Sequence, residues 1–309
     1  MKLPRIPLPK LTGWKRRTAY GAFLVLSFLF ALQRTFPTEA VRERIMLEAA
    51  AQGWQVRMGD LSPSGFGGMT ASAVTLESRD GLRIPIDEAR ASLRLWPLLL
   101  GRRGIAFDLA LFQGRLRGVV EEGRGWRRLV LTGRDVDLSR ATPIKKASGI
   151  DLAGVVSAQV DVTLYAREPA RSTGRLEVTV EKAAVNGGEV PVPGMGGNLS
   201  LPRFTLGKVT ARASVRDGKV LFDELASRSD DLEMSGEQVY LQLQPNLEYA
   251  PIYGRARVKP ADGFWQKSGT AGLRGVAEMA LASAKGRDGS YGFQLYGTLG
   301  HPQARPAGQ

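Results

Sequence analysis

From Trp54 to near the C-terminus, apolar and polar residues alternate with a period of two. Such alternation turns every second side chain to the same side of an extended strand, so each strand gains one oily and one wet face. In 157–164, Ala158, Val160, Val162 and Leu164 alternate with Ser157, Gln159, Asp161 and Thr163. In 175–181, Leu176, Val178 and Val180 alternate with Arg175, Glu177, Thr179 and Glu181. Val209, Ala211, Ala213 and Val215 repeat the pattern and lead into Asp217-Gly218, a strong hairpin signal ahead of Val220 and Phe222. Val239, Leu241 and Leu243 alternate with Gln238, Tyr240, Gln242 and Gln244.

Strands with one wet face pair antiparallel. Turn signals at 186–188, 194–197 and 287–289 separate further runs, and no long helical stretch interrupts them. A βαβ fold is therefore excluded, and the expected fold is mostly β: one elongated, curved antiparallel β-sheet. The 37 glycines and an aromatic content of only 7 % suit many short turns between light strands. The polar break at 137–148 is the best candidate for an internal boundary and for a short helix.

The first fifty residues follow another rule. Residues 18–33 are uncharged and, as a helix rising 1.5 Å per residue, span about 24 Å. Tyr20, Phe23, Leu24, Val25, Leu26, Phe28, Leu29 and Phe30 provide its apolar surface, and Arg17 and Arg34 can snorkel outward at its ends. A cleaved signal peptide is the competing reading, but the run ends Phe30-Ala31-Leu32-Gln33-Arg34 without an A-x-A-like site. Six basic residues and no acid precede the span, which places residues 1–17 in the cytoplasm and the bulk outside it. Residues 38–52 then form a capping helix, with Thr38 as N-cap, Glu39 in the first turn and Gly53 as the stop.

Charge and reactive groups exclude several functions. The net charge of +13 suggests nucleic acid, yet seven of those charges lie in residues 1–34, leaving 36 of the 43 basic residues against 30 acids. That is a mixed surface, and nucleic acid is excluded as a partner. With no cysteine there is neither a disulfide nor a thiolate. The single histidine, His301, sits in the tail 301–309, expected to be flexible. Asp135, Asp137 and the pair Asp230-Asp231 lack calcium-loop spacing and read as solvated turns. Ser64–Gly68 and Gly194–Gly197 match no phosphate-cradling pattern. No cofactor, metal or catalytic residue is expected, so the chain reads as a non-enzyme. One feature stands apart: Trp96, Leu98, Leu99 and Leu100 form an apolar turn, expected to be a one-turn helix plugging the end of the sheet.

The basic tail, single anchor and capping helix lead into GWQVRMGDL at 53–61, and this start resembles that of AsmA-type envelope proteins. The strand, leucine-rich turn, strand unit of 90–118 is similar to that superfamily's recurring unit, and YGFQLYGTLGHP at 291–302 to its closing strand and exit. Length, anchor and ending together resemble the protein N family of type II secretion systems. The resemblance implies an inner-membrane location with residues 54–300 forming a periplasmic AsmA-like β domain, a half-open groove with an apolar inner surface. Val160, Val162, Leu164, Leu176, Val178, Val180, Val239, Leu241 and Leu243 are the candidates to line it. The implied role is an accessory secretion component acting through inner-membrane lipids and other secretion subunits. The alternative is a lipid-binding or lipid-transfer protein with an acyl chain in the groove.

Overall fold

Each alternating run becomes a strand, and the strands join in one sheet. The computed structural model describes Phe23 and residues 38–307, apart from 52, 66, 79–80, 100 and 193–196. Helix α1 (Thr38–Ala51) comes first, followed by β1 (Trp54–Arg57), β2 (Leu61–Ser64), β3 (Gly68–Ser78) and β4 (Arg83–Leu93). The short α2 (Leu95–Leu99) precedes β5 (Arg103–Leu111), β6 (Gly114–Gly123) and β7 (Trp126–Asp137). After α3 (Thr142–Ser148) come β8 (Ile150–Tyr165), β9 (Thr173–Val192), β10 (Gly197–Leu201), β11 (Phe204–Arg216), β12 (Lys219–Arg228), β13 (Leu232–Gln242) and β14 (Ile252–Pro260). Helix α4 (Leu273–Ala280) lies within a non-strand excursion before β15 (Tyr291–Gly297) and β16 (Pro302–Pro306).

All sixteen strands belong to one antiparallel sheet, in the order β1-β3-β4-β5-β6-β7-β8-β9-β11-β12-β13-β14-β15-β16. Strand β2 pairs with β3, and β10 pairs with β9. Asp217 and Gly218, at φ 52 and 70, form the tight β11–β12 hairpin in the mirror-image turn that suits strand twist. Across the wet face, Arg212 bridges Glu177 at 3.1 Å and Glu224 at 2.6 Å, and Arg117 meets Asp108 at 2.9 Å. These exposed pairs hold register more than they add stability.

Several expectations need correction. The break at 137–148 does hold α3, but β7 and β8 pair directly across it, so it is no boundary. The tail is not free: Pro302–Pro306 pairs with β15, and the sheet runs past residue 300. Helix α1 packs on β1 and β2, yet buries no residue and leaves Ile45, Met46 and Leu47 exposed. Helix α2 is the expected single turn, and among its described side chains Pro97 is the buried one, lying beside Gly104, while Trp96 is 75 % exposed. Pro97 is the plug because the turn orients Trp96 outward. Of the expected membrane span at 18–33, only Phe23 is described; it is helical and exposed. Among the described residues no helix is long and apolar enough to cross a membrane.

Candidate functional site

The register places the apolar members of successive strands on one face. Val160 lies opposite Leu131 on one side and Leu176 on the other, and Val178 lies between Ala158 and Ala211. Val180 sits between Val156 and Val209, while Leu241 sits between Val220 and Ile252. A one-residue slip in any of these strands would turn its whole apolar set to water.

One buried part of this face is built around an absence of side chain. Val162 and Val215 both face Gly174 on β9, where an added Cβ would come within 2.5 Å of the Asp161 carbonyl oxygen and 2.6 Å of Val162 Cα. The gap lets Val162, Val215 and Leu243 form one buried cluster, with Leu129, Val160, Leu164, Leu176 and Val220 packed around it. All members are aliphatic, so the cluster presents no hydrogen-bonding group. Val178 and Val180 lie on the same face outside this cluster and are half-buried, whereas Val239 is buried beside Gly236 and Gly254.

At one end of this face a cavity of about 390 Å³ opens. Trp126, Leu164 and Tyr165 line it from one side, and Leu243, Pro245 and Leu247 from the other. Strand β7 and the segment after β13 are five positions apart in the sheet, so a flat sheet would separate them by about 24 Å. Sharing one cavity requires the sheet to curl about its apolar face. The mouth carries Glu122 and Arg127, which pair with each other at 3.0 Å. No family model, curated protein or solved structure matches this chain. Its chemistry rests on its own geometry.

The cavity wall is mostly apolar, and the aliphatic cluster lies on the face behind it. Among the described residues no group of three histidine, cysteine, aspartate or glutamate side chains could hold a metal ion. His301 lies exposed in the β15–β16 turn. Trp96 and Leu98 are exposed at the same end of the sheet as the cavity, and Leu100 lies outside the described residues, as does the side chain of Leu99.

The segment between β14 and β15 is a feature that alternation did not reveal. Phe264 is buried against Phe204 with ring centroids 6.1 Å apart, and Thr270 donates to the Phe264 carbonyl. Asp231, expected in a solvated turn, is buried with a side chain only 4 % exposed. It accepts hydrogen bonds from Thr205 N–H at 2.7 Å, from Thr205 Oγ1 at 2.9 Å and from Lys267 Nζ. Burial alone pushes its carboxyl up, but the Lys267 and Thr205 hydrogen bonds and the Lys267 charge together outweigh it and hold the pKa below the ordinary value. Lys267 thereby clasps the excursion to the strand ends. The signal for α4 was Leu273, Val276, Ala277 and Ala280 at helical spacing, in a stretch too short to stand out.

Proposed function

We propose that the protein is an inner-membrane-anchored periplasmic accessory component of a type II secretion system, of AsmA-like architecture, acting by contact rather than catalysis. The observation that carries this reading is the continuous apolar face of a single open antiparallel sheet, in a chain whose start, central unit and ending resemble that family. The span 18–33 holds it in the bilayer with residues 1–17 in the cytoplasm. Deletion in the host bacterium should leave type II substrates in the periplasm, and cross-linking in intact envelopes should recover secretion subunits. Normal secretion together with no such cross-link would refute the secretion role.

A second reading, lipid binding or transfer, is favoured by the apolar cavity between Trp126 and Leu247. Mass spectrometry of the protein purified with its native lipids should then find a stoichiometric acyl-chain lipid. Its absence would leave the face as a core or a protein-binding surface.

A further inference from the structure

Because the strands alternate in direction, every connector lies on one of two opposite rims of the sheet. The rim that carries α2, the β6–β7 and β11–β12 turns and the β8–β9, β13–β14 and β15–β16 connectors is unusually apolar. Leu93, Trp96, Leu98 and Ile105 are exposed at its β4–β5 corner. Leu247, Tyr249, Tyr253, Tyr296 and Leu299 are exposed where β13 to β16 turn. On the opposite rim, among the described residues, the exposed large apolar side chains are Met279, Met46 and Leu47 toward the C-terminal end of α1 and, further in, Val155, with no cluster of exposed aromatic rings.

The two apolar corners belong to one continuous surface. The Arg102 guanidinium lies over the Trp126 ring at 5.7 Å, and Trp126 and Leu247 line the same cavity. Beyond it, Leu299 N–H donates to the Ala250 carbonyl at 2.9 Å. Basic residues stud this rim. Arg94, Arg127 and Arg171 have carboxylate partners, but Arg102, Arg103, Arg124, Arg167 and Arg216 exceed the remaining acids Asp217 and Glu248. Aromatic and aliphatic side chains interleaved with arginine suit the boundary between anionic headgroups and acyl chains.

The route of the chain points the same way. Arg42 of α1 donates to the Gly59 carbonyl at 2.8 Å, and α1 packs on β2 as well as β1. Helix α1 therefore folds back along the first strands, with its first turn directed toward the apolar rim. Four residues separate Thr38 from the expected end of the span at Gln33, a reach of about 17 Å when extended.

We infer that this rim rests on the anionic phospholipid surface of the bilayer that holds the anchor, so that the sheet stands with its cavity mouth at the headgroups. The inference rests on the anchored-envelope reading and is independent of the secretion role. The absence of cysteine allows a clean test on the full chain. Single-cysteine variants Leu98→Cys, Leu299→Cys and, on the opposite rim, Met279→Cys would carry an environment-sensitive fluorophore in vesicles of phosphatidylglycerol and phosphatidylethanolamine. Labels at 98 and 299 should shift to the blue and be quenched about two-fold or more by lipids bearing a shallow nitroxide, with no change at 279. Phosphatidylcholine vesicles, or Arg102→Glu with Arg103→Glu, should weaken the quenching.

Equal, water-like behaviour at all three sites would overturn the inference. So would labels that are shielded in native membranes but unquenched by lipid in vesicles, because the rim would then meet a protein. Alkaline extraction tests the anchor separately. If it releases the chain, added anionic vesicles must still shift the rim labels, and their failure to do so would also overturn the inference.

Discussion

Strands β1–β7 and β8–β15 share one alternating pattern but are covered differently. In the first region a cluster of Ala71, Val74, Ile86 and Leu111 is packed by neighbours such as Met58, Leu61 and Phe112, and the face runs out to exposed Leu93 and Ile105. In the second, Val162, Val215 and Leu243 close over Gly174, and the excursion between β14 and β15 buries Phe264, Thr270 and Ala284. Alternation thus decides which face is apolar, while segments without alternation decide how much of it meets water. The same substitution should have different costs in the two regions.

The largest contrast is expected from a charge placed on the apolar face. Val215, 4 % exposed, should lose about 3–5 kcal/mol as Val215→Asp, because a buried carboxylate there has no partner. Ile105→Asp should cost about 1 kcal/mol or less, since the charge can reach water. Urea melts of the two variants would decide, and equal losses would erase the distinction between the regions.

A smaller test fills the glycine gap. Gly174→Ala should cost about 3 kcal/mol, because the new methyl would meet β8 backbone, whereas Gly263→Ala, in open space at φ −81, should stay within about 0.5 kcal/mol. Thermal denaturation of both variants compares them directly.

The clasp in the second region has its own signature. Asp231→Ala leaves the Thr205 N–H without its acceptor and should cost about 2 kcal/mol. Folding lowers the Asp231 pKa, so the stability it contributes is complete above the ordinary carboxylate range and is lost as pH falls through the lower folded value. Melts run from neutral pH downward should show a steeper acid-side loss in the parent than in Asp231→Asn. Parallel curves would mean that the carboxylate contributes nothing. The smallest effect belongs to the first region, where Trp96→Ser should move stability by less than about 0.5 kcal/mol, its ring being already in solvent. A larger loss by calorimetry would show that the ring packs more than its exposure indicates.

What was legible in the chain was whatever a period of two encodes. The faces of β8, β9, β11 and β13 follow from Val160, Leu176, Val215 and Leu241, because pairing out of register would expose a full row of aliphatics. Positions where the count slips were not legible. Ala73, Lys182 and Gln238 take positive φ within strands, and no residue type there announces it. Asp231 was misread because Asp-Asp in a polar stretch suggests a turn, and its acceptor role depends on Lys267, distant in sequence. The cavity was equally hidden, since its walls join residues near 126 and 245 that only curvature brings together.

The order of strands along the sheet is nearly their order in the chain. Each hairpin can therefore dock on the one already made, without waiting for a distant partner or threading past it. A sheet of this kind can be assembled from its first strand onward as the polypeptide emerges, with the growing edge always exposed for the next arrival. It can also gain or lose a hairpin at its last edge without rewiring the rest. The prolines at both ends of β16 mark where that growth stops, since a strand laid against it would find donors missing at Pro302 and Pro306.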